Sequence, residues 1–451
     1  MSRSLNWLKR VTTEHTGEIL WACIFAAALG WPFARLIDPP KPDLKLLVLA
    51  DDRTPQETIA AFEQARHDLQ SQLTIGGAPV EVEIQQLKAT EKIETTAKEI
   101  TAGNSVIMVI AHAGSEAVES VLPVFFGTAR KIPVITTVAS DDNLLIKCVP
   151  GGAIACADSS DFVPLLQLSP TNTEQGRWAI AYATEHHKRK FMIVYDDDGG
   201  TNKSYAENLR DAYAKAIDHF NQEGSGPPAT IVGPFKIDTS PPTERDFTPN
   251  NPDCILYAGG AGNVRRLLDR IPRTSRPLMV ILSDSTVQRG ITASDLADSI
   301  YPINFTYQTD AYDYNHRTNP YSSDSLAIAA EVIGDLNRRG LSLKYRLKSL
   351  LGLETATDAR RELVRVIKEN AIFRTSYEGS PQKGVETVLH PVYTFEGYKR
   401  TNGIYHVWEL ARTTSEEKNE EMKDVDNWHP KRQVLAAKPN TSIEPAGRQH
   451  N

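Results

Sequence analysis

Six short apolar runs punctuate this chain: LKLLVLA (44–50), VIMVIA (106–111), PVITTVA (133–139), FMIVY (191–195), CILYA (254–258) and LMVIL (278–282). Each has the length and continuity of a strand buried on both faces. Segments of helical period lie between them. From Pro55 to Leu73, Ile59, Phe62, Leu69 and Leu73 fall on one face, and from Lys203 to Phe220, Leu209, Tyr213, Ile217 and Phe220 do the same. Strand, helix and strand in repetition specify parallel sheets with right-handed crossovers. The repeats suffice for an α/β fold of two doubly wound lobes; a single large Rossmann-type sheet is the competing architecture.

Composition narrows the function classes. With 451 residues, 40% hydrophobic and 24% charged, the chain is too apolar for a disordered polymer and too long for one small core. Four Cys exclude a cysteine-stapled miniprotein, and 27 Gly without a triplet period exclude collagen. The 50 Lys and Arg against 57 Asp and Glu give a formal charge of −7, without the cationic run that a nucleic-acid partner would need.

The N-terminal region holds the most lipophilic stretch. Residues 19–37, ILWACIFAAALGWPFARLI, carry one charge, Arg35, and as a helix would span roughly 28 Å, close to the thickness of a bilayer core. This reads as a single-pass, uncleaved membrane anchor behind a cytoplasmic segment, 1–18. A buried helix of a soluble domain is the alternative reading, and a lipid-modified Cys23 is a minor one. Residues 38–42, DPPKP, make a stiff linker, and 412–451 read as a flexible polar tail.

In open parallel sheets, ligands bind beyond the carboxyl ends of strands. After VIMVIA comes His112-Ala113-Gly114-Ser115-Glu116, where the Ser115 hydroxyl and free helix amides could cradle a carboxylate; Ser115 is equally a helix N-cap. PVITTVA runs into Ser140-Asp141-Asp142. FMIVY is followed by Asp196-Asp197-Asp198-Gly199-Gly200-Thr201-Asn202, an acidic run without EF-hand spacing, so no metal site is expected. CILYA leads to Gly259-Gly260-Ala261-Gly262-Asn263-Val264-Arg265, which fails the dinucleotide pattern because Arg265 stands where the third Gly belongs. LMVIL ends in Ser283-Asp284, a carboxylate able to pair with an ammonium group or to cap the following turn.

In order and spacing, VIAHAGSEAV, IPVITTVASDDNL, LLQLSPTNTEQG, FMIVYDDDGGTNKSYAENL, PDCILYAGGAG, LMVILSDS and NPYSSDSLAIAAEVI resemble the type I periplasmic binding proteins. The resemblance is to the branched-chain amino acid (leucine/isoleucine/valine) receptor family and covers roughly residues 43–411. It implies two lobes joined by three strand crossings, one formed by 43–167 plus 305–372 and the other by 168–304 plus 373–411. It further implies a small amino-acid-like ligand and no cofactor. Gly114, Ser115, Val138 and Ser140 would grip the α-carboxylate and part of the amine, Asp284 would pair with the ammonium, and Tyr257 would lie near a ligand-facing aromatic position. Two departures stand out. Ala50-Asp51-Asp52-Arg53-Thr54 replaces a Gly-rich loop, and the Tyr-Gly pair that lids the ligand is either replaced by Thr201-Asn202, which would then be the ligand-facing residues, or shifted by an inserted residue.

The family works outside the cytoplasmic membrane, where disulfides persist, so the resemblance also implies a Cys148–Cys156 bond, two free thiols being the alternative. Cys254, within a strand run, reads as a buried apolar residue. The expectation is a solute-binding protein anchored in the inner membrane with its globular part in the periplasm, closing around its ligand for an ABC permease or a signalling partner. The alternatives are a ligand-independent membrane-tethered interaction module and, less favoured, a hydrolase using Ser115 and His112. No G-x-S-x-G elbow or P-loop supports the hydrolase.

Overall fold

The computed structural model describes residues 43–434 other than 53, 88–92, 127–130, 143, 145–164, 197–202, 225, 273–277, 284–299, 309–319, 352, 354, 370–371, 375–391, 397–398, 401–403 and 411–427. Segment 19–37, expected to be an anchor, and Cys148, Cys156, Thr201, Asn202 and Asp284 lie outside the described residues. Among those described, no helix is long and apolar enough to cross a membrane.

In chain order the elements begin with β1 (Leu44–Ala50), α1 (Gln56–Leu69), β2 (Thr74–Ile75), β3 (Ala78–Gln86), α2 (Ile93–Ala102), β4 (Val106–His112), α3 (Ser115–Phe126), β5 (Val134–Thr136) and β6 (Leu165–Gln167). They continue with α4 (Asn172–Glu185), β7 (Lys190–Tyr195), α5 (Lys203–Glu223), β8 (Thr230–Lys236), α6 (Glu244–Asn250), β9 (Cys254–Ala258), α7 (Val264–Arg270), β10 (Leu278–Leu282) and β11 (Ile300–Gln308). Last come α8 (Pro320–Arg339), α9 (Leu343–Leu350), α10 (Ala356–Glu369), β12 (Ile372–Arg374), β13 (Val392–Glu396), β14 (Lys399–Arg400), β15 (Ile404–Leu410) and β16 (Trp428–Val434).

The strands form two sheets rather than one. The first has the order β12-β13-β14-β6-β5-β4-β1-β3-β2 and the second β16-β15-β11-β10-β9-β7-β8. At the centre of each are five parallel strands in the same doubly wound sequence, β3-β1-β4-β5-β6 and β8-β7-β9-β10-β11, where the strand order reverses between the first and third strands. The sheets are mixed, not wholly parallel. β2 returns on β3 through a two-residue turn, β12 and β14 flank β13 antiparallel, and β15 and β16 add antiparallel strands beyond β11. The two-residue connections from β2 to β3 and from β13 to β14 allow no crossover helix, so the chain reverses there.

Each sheet is covered on both faces. In β1, Leu46 and Val48 pack with Phe62 and Leu69 of α1 and with α8 and α10, while Leu47 and Leu49 point to Val118, Leu122 and Phe126 of α3. In the second sheet, Phe191, Ile193 and Leu256 meet α4 and α5, and Met192, Val194 and Ile255 meet α6 and α7. This two-sided burial explains why the strands are apolar at every position instead of alternating. The paired helices α4 and α5 approach closely at Gly176, where a Cβ would stand 2.8 Å from the Ala212 carbonyl oxygen.

Three boundaries differ from the sequence reading. Residues 305–308, expected in the first lobe, complete β11 of the second sheet. β12, β13 and β14 join the first sheet, whereas the sequence places 373–411 in the second lobe; among the described residues only β15 of that stretch enters the second sheet. Residues 428–434, within the stretch read as flexible tail, form β16, an edge strand paired antiparallel with β15. The polar, proline-bearing sequence WHPKRQV suits an edge, where one side of the strand needs no partner.

Arg360 fastens α10 to the start of β4. It is 1% exposed, its Nε donates to the Val106 carbonyl at 2.6 Å, and an Nη donates to the carbonyl and the side-chain oxygen of Asn104 at 2.9 and 2.7 Å. Replacing it removes charge-assisted bonds and takes a donor from the carbonyl of the buried Val106. Arg360→Met should lower unfolding free energy by about 2–4 kcal/mol, read as a lower denaturant midpoint with an unchanged slope.

Candidate ligand-binding site

A crevice in a sheet of this order lies at the carboxyl ends of the strands that flank the reversal. In the first sheet these are β1 and β4, and in the second β7 and β9. Polar side chains gather at both places.

At the first, β4 ends at His112 and the chain turns through Gly114 into α3. Gly114 is exposed, and a Cβ there would find no heavy atom within 4 Å, so a side chain would project into open space. Ser115, 4% exposed, accepts hydrogen bonds at Oγ from the backbone amides of Ser140 and Asp141, each at 3.2 Å. The loops after β4 and β5 are thereby sewn together, with Val138 half-buried and Ser140 buried. Both Ser115 lone pairs are engaged, which leaves the hydroxyl proton as its remaining capacity.

His112 is tied down behind this loop. Its Nδ1 lies 2.7 Å from Thr137 Oγ1, and its ring meets Phe62 edge-on at 5.4 Å between centroids. Burial lowers its pKa to about 4, so the ring is neutral near pH 7. Among the described residues no hydrogen bond joins His112 to Ser115, so the pair that a hydrolase reading requires is not assembled.

The 140–142 loop also reaches helices of the second lobe. Asp141, fully buried, accepts from Ser204 Oγ at 3.0 Å. Asp142 accepts from the Thr173 amide at 2.8 Å and its hydroxyl at 3.0 Å, capping α4. The Asn172 amide donates to the Ser140 carbonyl at 2.9 Å, and its Nδ2 donates to Asn208 Oδ1 at 2.8 Å. Gln167 braces the loop from beneath through Nε2 to the Ala139 carbonyl at 2.9 Å.

At the second crevice the organising group is Asp196, 3% exposed, just beyond β7. Its carboxylate accepts from Tyr257 Oη at 2.7 Å, from the Gly260 amide at 2.7 Å and from Asn263 Nδ2 at 3.2 Å. Gly259 is required by this packing, since a Cβ would stand 2.4 Å from the Asp196 carboxyl carbon. The glycine-rich GGAG segment therefore wraps an internal carboxylate. The Ser283 hydroxyl, at the end of β10, donates to the Gly259 carbonyl and holds that segment against the next strand.

No family model matches the sequence, and no curated protein matches it either. Solved structures do. An ABC transporter substrate-binding protein from Desulfitobacterium hafniense, in complex with Leu, superposes with a TM-score of 0.55 at 13% identity, covering 86% of this chain and 99% of its own. The leucine-binding protein LivK from Thermotoga maritima gives 0.53 at 12% identity, covering 81% of this chain and 95% of its own. The fold is that of the type I periplasmic binding proteins.

On that fold, the structure brings Gly114, Ser115, Val138 and Ser140 together at one crevice. Tyr257 is a correction. It is fully buried with its hydroxyl between Asp196 and the Gly260 carbonyl, so it faces the core and organises the loop instead of facing a ligand. Asp141, Asp196, Gln167 and Asn172 escaped the sequence-based selection. Position immediately after an apolar run marks Asp196, but nothing in the sequence distinguishes Asp141 from its neighbours. Cys254 is buried in β9, as read.

The sign of the His112 effect follows from its shift. The folded protein resists protonation until about pH 4, while the unfolded chain takes up the proton near pH 6.5. Stability is thus intact above about 6.5 and falls as pH drops toward 4, by up to about 3 kcal/mol. Denaturant midpoints across this range should show the loss, and His112→Gln should remove this component of it. Tyr257→Phe should cost about 1–2 kcal/mol by withdrawing a donor from the buried Asp196, measured in the same way.

Proposed function

We propose that this protein is an extracytoplasmic solute-binding protein that closes around a small amino-acid-like zwitterion between its two lobes. The observation that carries this is the junction of the Ser115 and Ser140 loops at the strand reversal of the first sheet. With both lone pairs of Ser115 filled by amides, its hydroxyl can only donate, which suits a carboxylate. Asp284, following β10, would supply the countercharge for the ammonium, and Thr201 and Asn202 would line the opposite wall. The neighbours in fold that carry leucine in their descriptions support the ligand class.

Segment 19–37 would anchor the globule at the cytoplasmic membrane with the lobes in the periplasm, held near an ABC permease or a signalling partner that reads closure. A Cys148–Cys156 bond would fit that compartment. A second reading, a ligand-independent tethered interaction module, is favoured by the direct bonds that Ser204 donates to Asp141, the Asn172 amide to the Ser140 carbonyl and the Thr173 amide to Asp142, which already link the loop to the second lobe.

Thermal-shift screening against leucine, other amino acids, amides and small carboxylates separates the two. A receptor gains melting temperature with ligand, and Ser115→Ala and Asp284→Asn should each weaken binding by about tenfold or more, the worth of one charge-assisted hydrogen bond. A flat response of the wild-type protein to every amino acid would favour the interaction module.

A further inference from the structure

Leu343, Leu347, Leu351 and Leu353 are 73%, 51%, 42% and 54% exposed, and Ile231 is the one other large hydrophobic side chain exposed among the described residues. Four of five in eleven residues is a continuous apolar strip. It lies along α9 and the turn after it. Tyr345 is 3% exposed and anchors the helix inward, while at 100° per residue Leu343 and Leu347 fall on the opposite side. Lys344 and Arg346 flank the leucines, are exposed, and carry no ion pair among the described residues. Lys348 is different: Asp358 neutralises it at 2.8 Å. The result is an outward leucine ridge bordered by two uncompensated cations, the chemistry that seats in the interface of an anionic bilayer.

Its place in the fold agrees. Leu341 and Tyr345 lie over Gly76, in the turn joining β2 to β3, and Asn337 at the end of α8 donates to the Thr74 carbonyl at 2.6 Å. β3 leaves that turn in register with the start of β1, Val80 beside Leu44. The leucine ridge therefore occupies the end of the lobe where the chain enters the sheet, and the Ser115 crevice occupies the other, roughly 20 Å away along a seven-residue strand. Five residues, 38–42, separate Asp43 from the apolar 19–37 run and reach at most about 18 Å.

We infer that α9 and the turn after it, through Leu343, Leu347, Leu351 and Leu353 with Lys344 and Arg346, dock on the surface of an anionic membrane. The inference takes its geometry from the anchored reading above. Docking would fix the tilt of the lobe and present the ligand crevice away from the lipid, toward a membrane partner's extramembrane face.

The test is hydrogen exchange on the full chain in phosphatidylcholine vesicles with and without about one-third phosphatidylglycerol. Amides of 343–353 should exchange about tenfold more slowly on the anionic vesicles. High salt or the doubly substituted K344E/R346E should abolish the difference, and L347E should too, with exchange in α1 unchanged. Alkaline extraction of the same vesicles reports the anchor separately. Protein retained by the membrane with equal 343–353 exchange on both lipids overturns docking and leaves the anchor standing. Protein released by alkali but protected on anionic vesicles supports docking and removes the anchor. Slow exchange in detergent that grows with protein concentration assigns the ridge to a second copy and overturns the inference.

Discussion

The described structure is subordinate to the need to dry both faces of two sheets whose central five strands are parallel. Parallel strands require crossovers, crossovers place helices on both faces, and those helices must enter and leave at the strand ends. In the first sheet Leu46 and Val48 face one helical layer and Leu47 and Leu49 the other, so no residue of β1 beyond its first two is available for solvent or ligand. Polar chemistry is thereby driven out to the carboxyl ends, and both polar clusters lie there.

The two clusters solve the same problem with opposite groups. In the first, a neutral hydroxyl accepts two backbone amides and joins consecutive loops. In the second, a carboxylate collects a phenol, an amide and an asparagine, and a glycine makes room for it. The Ser115 arrangement retains a donor and so can greet an anion. The Asp196 arrangement is inward and structural, with its acceptors already committed. Similar topology does not yield similar use.

The six apolar runs located the central strands because burial on both faces leaves an uninterrupted hydrophobic signature. The same logic hid the others. β3, APVEVEIQQ, alternates buried and exposed residues, and β8, TIVGPFK, is mostly exposed at the sheet edge, so neither presents a solid run. PVITTVA overstated β5, which stops at Thr136 because Thr137 turns toward His112. The inward direction of Tyr257 is legible in the strand period: it shares a face with Ile255, and both pack into the core beside α6 and α7. Ser115 was legible as a hydroxyl at a strand-to-helix turn. Its partners were not, because the Ser140 loop comes to it through the β4–β5 pairing, a register that no local pattern encodes. Asp141 and Asn172 belong to the same class of long-range acquaintances.

The antiparallel annex on the second sheet has a consequence for any shortened version of the chain. β15 pairs with β11 on one side and with β16 on the other, and β16 comes from residues 428–434, at the far end of the connection that follows β15. A chain cut before Trp428 would turn β15, with the sequence IYHVWEL, into the outermost strand and present its unpaired amides and carbonyls to other molecules. Self-association of such truncated material would reflect the loss of a polar, proline-bearing shield and would say nothing about the assembly of the whole protein.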